Sequence, residues 1–124
     1  MSYYFGNEVQ NFDAVLLDRL YINDGKGNFT KSKTLPPFYG NKSVAIAADF
    51  DQDGDLDLFI GGRVVADKYG EIPASYLLLN DGKGNFKIAG ESIAPGLKNI
   101  GIVIDAVWSD IDKDCWPDLV IAGE

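Results

Sequence analysis

The chain has 124 residues, 46% of them hydrophobic, with a formal net charge of −8, no histidine and one cysteine, Cys115. That length suits one ordinary domain with a modest core, and the acidity argues against nucleic acid, whose phosphates demand a basic face. No apolar run reaches the roughly 18 residues that span a bilayer, the start lacks the basic and apolar regions of a signal peptide, and a lone cysteine forms no internal disulfide. An intracellular protein and a piece of a longer secreted chain both fit.

In chain order, the first strand-like pattern is Leu20-Tyr21-Ile22, followed by the turn-forming run Asn23 to Asn28 and Phe29. Ser43 to Ala48 is a short run of small and β-branched residues, the pattern of a strand buried on both faces. Ala45 and Ala47 would suit an innermost strand near a crowded axis. Next comes Asp49-Phe50-Asp51-Gln52-Asp53-Gly54-Asp55-Leu56-Asp57, with a carboxylate at every odd position and glycine at the sixth. Like charges this close need a cation, and Ca²⁺ takes roughly 6–8 oxygen ligands. The spacing predicts side-chain oxygens from Asp49, Asp51 and Asp53, the backbone carbonyl of Asp55, and Asp57 as the closing ligand. Gly54 permits the sharp turn because it reaches positive φ without a Cβ penalty. An EF-hand would carry a glutamate at the twelfth position, where this chain has Ile60. The loop is therefore expected inside a β-hairpin, closed by a strand from Leu56 to Gly61.

Beyond Pro73, Ala74 to Leu79 predicts a third strand, Asn80 to Asn85 a tight turn with a strong Asp-Gly hairpin signal, and Phe86 to Ile88 a fourth. Gly101 to Trp108 and Leu119 to Ala122 predict one more hairpin. The chain repeats itself: Asn23 to Phe29 recurs without change as Asn80 to Phe86 at an offset of 57, and the aspartate loop recurs as Asp110 to Asp118 at an offset of 61. Tyr3 to Gly6 weakly echoes Phe59 to Gly62. Nine of the 19 acidic residues lie in the two loops, so the acidity belongs largely to them. Four-stranded antiparallel units of this length, repeated, are the pattern of β-propeller blades. The expected fold is all-β, with about two repeats of 57–61 residues: residues 1–42 as the end of a partial blade, 43–90 as a complete blade carrying the calcium loop 49–57, and 91–124 as the first half of the next blade with the loop 110–118.

The segments DFDQDGDLDLFIGG, YLLLNDGKGNF and DIDKDCWPDLVIAGE resemble FG-GAP/VCBS-type repeats, the blades of integrin-α-like propellers. The resemblance implies a Ca²⁺ ion in the loop joining the first two strands of each blade. Its ligands would be Asp49, Asp51, Asp53 and Asp57 with the carbonyl of Asp55, and in the second loop Asp110, Asp112, Asp114 and Asp118 with the carbonyl of Trp116. Cys115 stands where glycine is expected, at a cost on the order of 1 kcal/mol if the left-handed conformation is kept.

Other constellations carry less chemistry. Gly82-Lys83-Gly84 lacks both the P-loop pattern and a following helix, and Cys115 has no histidine to activate it. Carboxylates committed to a cation are poor acids for glycoside hydrolysis. Trp108 reads as packing between blades, and Trp116, in a loop and more open, reads as packing as well; with Tyr69 and Tyr76 they could also form a sugar platform. The expected function is a non-enzymatic, calcium-stabilised repeat module for protein interaction or adhesion. It would belong to a larger propeller or self-associate through open blade edges, in an extracellular, cell-surface or periplasmic setting. The alternative is a carbohydrate-binding or polysaccharide-processing-associated propeller.

Overall fold

Alternating apolar residues separated by aspartate- and glycine-rich turns leave little choice but short antiparallel strands, and the computed structural model consists of these. It describes residues 18–36, 41–64 and 73–124. The strands are β1 (Tyr21–Asn23), β2 (Phe29–Lys31), β3 (Asn41–Ala48), β4 (Asp57–Val64), β5 (Tyr76–Asn80), β6 (Phe86–Ile88), β7 (Val103–Ser109) and β8 (Asp118–Gly123). They form a two-stranded sheet β1-β2, a four-stranded sheet β3-β4-β5-β6 and a two-stranded sheet β7-β8, all antiparallel. One short 3-10 turn, Leu97–Asn99, interrupts the connection before β7. Among the described residues no helix is long and apolar enough to cross a membrane. The echo at Tyr3 to Gly6, and Tyr69, lie outside the described residues.

The internal repeat extends to register. Ala45 pairs with Ile60, Ala47 with Leu58 and Ala48 with Asp57; displaced by the same offset, Ala106 pairs with Ile121, Trp108 with Leu119 and Ser109 with Asp118. A one-residue slip would turn each strand's apolar row to the wrong face, so the shared register places both aspartate loops at equivalent hairpin ends.

Because side chains alternate along a strand, the four-stranded sheet has two apolar faces. Phe59 and Leu77 join Val103 and Ala106 in a core between this sheet and β7-β8, with Val44, Ile46, Trp108, Leu119 and Ile121 packed around it. Ile60 and Leu78 form a second cluster on the opposite face, covered by Leu35, Leu58, Tyr76 and Phe86. Phe59 and Leu78 are fully buried, each contributing about 1.5–3 kcal/mol by removal from water. The close approach of the sheets requires Gly61, where a Cβ would lie 2.7 Å from Val103 Cγ1 and 2.9 Å from Val44 Cγ1. Ser75 is buried but satisfied: its Oγ accepts from the Gly62 N–H at 3.0 Å and its own N–H donates to the Lys98 carbonyl at 3.2 Å.

The strand buried on both faces is not the one that the run Ser43 to Ala48 suggests. That run lies in β3, at the edge of its sheet, where Ala45 and Ala47 are exposed and Val44, Ile46 and Ala48 half-buried. Small side chains leave an edge row open whether or not anything covers it. The doubly covered strand is β4, flanked by β3 and β5, in which Phe59 to Gly62 are all buried.

Candidate metal centre

The Asp49 to Asp57 loop builds itself by side-chain to backbone hydrogen bonding, the habit of aspartate in turns. Asp49 Oδ1 accepts from the Asp53 N–H at 3.0 Å and its Oδ2 from the Gly54 N–H at 2.8 Å; Asp51 Oδ1 accepts from Asp53 N–H at 3.4 Å and Asp53 Oδ1 from Asp55 N–H at 2.9 Å. The Asp110 loop repeats all four bonds. Asp110 accepts from the N–H groups of Asp114 at 3.1 Å and Cys115 at 2.8 Å, Asp112 from Asp114 at 3.3 Å, and Asp114 from Trp116 at 2.9 Å. The backbone follows: the sixth position is left-handed in both loops, Gly54 at φ 95° and Cys115 at φ 72°, so the cysteine adopts the conformation that glycine would otherwise supply. The fourth position is left-handed as well, at Gln52 (φ 58°) and Lys113 (φ 63°), a strain that the spacing of the aspartates did not reveal.

These turns aim the carboxylates inward. One oxygen each from Asp49, Asp51, Asp53 and Asp57 lie within 4.8 Å of one another, and so do those of Asp110, Asp112, Asp114 and Asp118. Oxygens about 2.3–2.6 Å from a common Ca²⁺ stand at most about 5 Å apart, so both sets have the dimensions of one hard-cation shell. The side chain of Asp55 turns away from its cluster: a Cβ on Gly82 would meet Asp55 Oδ2 at 2.9 Å. That leaves the Asp55 backbone, not its carboxylate, available to the loop. Trp116 is 47% exposed, so the open placement read for it holds while a packing role does not.

The two sets differ in depth. Asp57 is 0% exposed; its Oδ1 accepts from the Asn80 N–H at 2.9 Å, whereas Oδ2 is buried without a hydrogen bond. Burial raises the Asp57 pKa above the ordinary carboxylate value, against the lowering effect of the Asn80 and Phe50 N–H groups and with the charges of Asp53 and Asp49 adding to the rise. Asp51 is raised by loss of solvation and by the charge of Asp57. An isolated buried carboxylate is costly unless something pairs it, and a divalent cation among these four oxygens would remove that cost; this donor set fits the ion. Asp118 is only half-buried and its Oδ2 accepts from the Ile111 N–H at 2.9 Å. In the second loop desolvation and Asp114 raise Asp112, while the Trp116 N–H foremost lowers Asp114.

Three residues that the sequence did not single out tie the centres to the sheets. Phe50, second in the first loop, stacks on Trp108 with ring centroids 6.3 Å apart and planes 20° from parallel, a favourable offset for aromatic pairs. Trp108 thus packs between sheets, as its sequence position suggested. Gln52 donates through Nε2 to the Cys115 carbonyl, joining the two loops. Asn80 holds the Asp57 strand end and the following turn together. Its one signal in the sequence is that the same asparagine opens both copies of the NDGKGNF turn. Those turns are built alike: Asp24 and Asp81 each accept from the side-chain amide of the asparagine four residues on, at 3.0 and 2.9 Å, which lowers both carboxyl pKa values. Gly82-Lys83-Gly84 is a hairpin turn.

Residues 6–60 match the family model described as the FG-GAP-like repeat. These residues carry an FG-GAP-like repeat. The matched stretch includes the first NDGKGNF turn, β3, the Asp49 loop and the buried part of β4 as far as Ile60; the second turn and the Asp110 loop lie outside it and stand on the internal repeat alone. No curated protein and no solved structure matches the chain.

Proposed function

We propose that this FG-GAP-like chain is a non-enzymatic, calcium-stabilised β-propeller module, with residues 43–90 as one blade and 1–42 and 91–124 as parts of the adjoining ones. The observation that carries the calcium reading is Asp57, fully buried with an unpaired Oδ2 and grouped within 4.8 Å of Asp49, Asp51 and Asp53. An all-oxygen donor set selects a hard cation over zinc or copper. The backbone carbonyls of Asp55 and Trp116 would complete the two shells. The ion's role is structural, because the carboxylates are spent on it and the chain has no histidine to serve as acid or base. The module would present its surface, or its open blade edges, to a protein partner or to further copies of itself, in adhesion or assembly. The affinity of extracellular calcium modules, with Kd about 10⁻⁴–10⁻³ M, suits an extracellular, cell-surface or periplasmic site.

A ligand that binds only the folded state stabilises it by about 2.7 kcal/mol at a hundredfold excess over Kd. Chelation is therefore expected to lower the melting temperature by roughly 10 °C for a domain of this size. A melt unchanged by chelator and by added calcium would rule out the structural ion.

A second reading, carbohydrate recognition, is supported by Trp116, nearly half exposed beside the Asp110 carboxylates. Dose-dependent binding on a glycan array, lost in Trp116→Ala, is the outcome it requires; silence across a broad array removes it.

A further inference from the structure

We propose that the Asn80 side chain positions the Asp49 centre: by holding the Leu56 carbonyl and the β5-β6 turn it keeps the backbone N–H at this position on one oxygen of Asp57, so that the other is left for the cation. The inference rests on the calcium reading above.

Asn80 ends β5 and makes four hydrogen bonds in two directions. Toward the carboxylate loop, its backbone N–H donates to Asp57 Oδ1 at 2.9 Å and its side-chain Nδ2 donates to the Leu56 carbonyl at 3.0 Å. Toward its own turn, Oδ1 accepts from the N–H groups of Gly82 at 2.9 Å and Gly84 at 3.2 Å. The Leu56 carbonyl belongs to the peptide that leads into Asp57, so holding it fixes the plane from which the Asp57 side chain departs. The backbone N–H bond to Oδ1 then consumes one carboxylate oxygen and leaves Oδ2, buried and without a hydrogen bond, as the oxygen open to an ion. A half-free carboxylate would otherwise rotate and offer either oxygen to the backbone. Groups that orient a metal ligand in this way typically alter affinity by about 10–100-fold when removed.

The chain contains its own control. Asn23 makes the same turn bonds, its Oδ1 accepting from Gly25 N–H at 2.9 Å and Gly27 N–H at 3.3 Å, yet among the described residues it makes no hydrogen bond to either carboxylate loop. The turn-forming and loop-positioning tasks of this asparagine are therefore separable.

The test is calorimetric titration of the whole chain with calcium alone, in an Asp118→Asn background that weakens the second loop, with circular dichroism to establish folding. Asn80→Ala keeps its backbone N–H but loses the side-chain clamp on Leu56 and the turn that aims it at Asp57 Oδ1, and is expected to bind calcium about 10–100-fold more weakly at the first site, while Asn23→Ala, which loses the equivalent turn bonds, binds like its parent. Asn80→Asp keeps an acceptor for Gly82 and Gly84 but loses the donor to Leu56, and is expected to fall with Asn80→Ala. Folded Asn80 variants that bind as tightly as their parent overturn the proposal, as does an Asn23→Ala loss equal to that of Asn80→Ala. A parent and wild type that both bind no calcium would instead remove the calcium reading itself.

Discussion

The Asp49 and Asp110 loops share four internal hydrogen bonds position for position and differ in their surroundings. The first is backed by β5 and its turn, which bury Asp57 and occupy one of its oxygens; the second, among the described residues, has its own hairpin and the Gln52 bond to Cys115 but no strand behind its closing aspartate, and Asp118 stays half-buried. The shape of such a loop is thus a local matter, set by aspartates reaching their own backbone. Preparing its closing ligand for a cation is a tertiary matter, set by the neighbouring strand.

The largest expected break in this comparison comes from removing the closing charge. Asp57→Asn keeps the shape and loses the ligand. It is expected to weaken calcium binding at the first site by about 100-fold, roughly 2.7 kcal/mol, and to raise the melting temperature in chelator because a buried unpaired charge has gone. Asp118→Asn should show a smaller loss and little change in chelator. Equal effects in paired titrations and melts would mean that burial of Asp57 is irrelevant to the ion.

A smaller, opposite pair of effects is expected at the sixth position. Cys115→Gly relieves a left-handed side chain at φ 72° and should stabilise the chain by on the order of 1 kcal/mol. Gly54→Ala places a Cβ at φ 95° and should cost a similar amount or more, although space is open there. Denaturant unfolding with and without calcium measures both; the same sign for the two substitutions would contradict the shared backbone.

The smallest effect is the dependence on pH. Asp57 and Asp51 have raised pKa values in the calcium-free fold. A carboxyl whose folded pKa exceeds its unfolded value costs stability at neutral pH, and that cost fades as pH falls through the folded pKa. In chelator, acidification from neutrality toward pH about 5 should therefore raise the melting temperature slightly, whereas with calcium it should lower it as protons displace the ion. Asp24, Asp81 and Asp114, whose pKa values are lowered, act the other way, but their contribution is lost only as pH falls below the unfolded value of 3.8. Falling stability in chelator above that pH would disprove the assignment.

Much of this was legible in the sequence because its signals are short-range. Asp-Gly turns, aspartates at alternate positions and strand-length apolar runs each determine their own conformation within a few residues, and the recurrence of Asn23 to Phe29 as Asn80 to Phe86 exposed the unit. What lay hidden depends on contacts across the sheets. Ala45 and Ala47 read as interior residues because small apolar side chains look alike at an open edge and a crowded axis. Asn80 read as a turn former because its second pair of hydrogen bonds crosses 23 and 24 positions of sequence. The left-handed Gln52 and Lys113 carry no sequence mark, since polar side chains at those positions are ordinary in any exposed loop.

The Phe50–Trp108 stack also makes the molecule its own instrument. Each carboxylate loop has a tryptophan beside it: half-buried Trp108 lies against the first through Phe50, and exposed Trp116 lies within the second. With Trp108 replaced by phenylalanine, the emission of Trp116 would report the filling of the second loop from an unlabelled chain, while Trp108, stacked on Phe50 and two residues before Asp110, would respond to either loop.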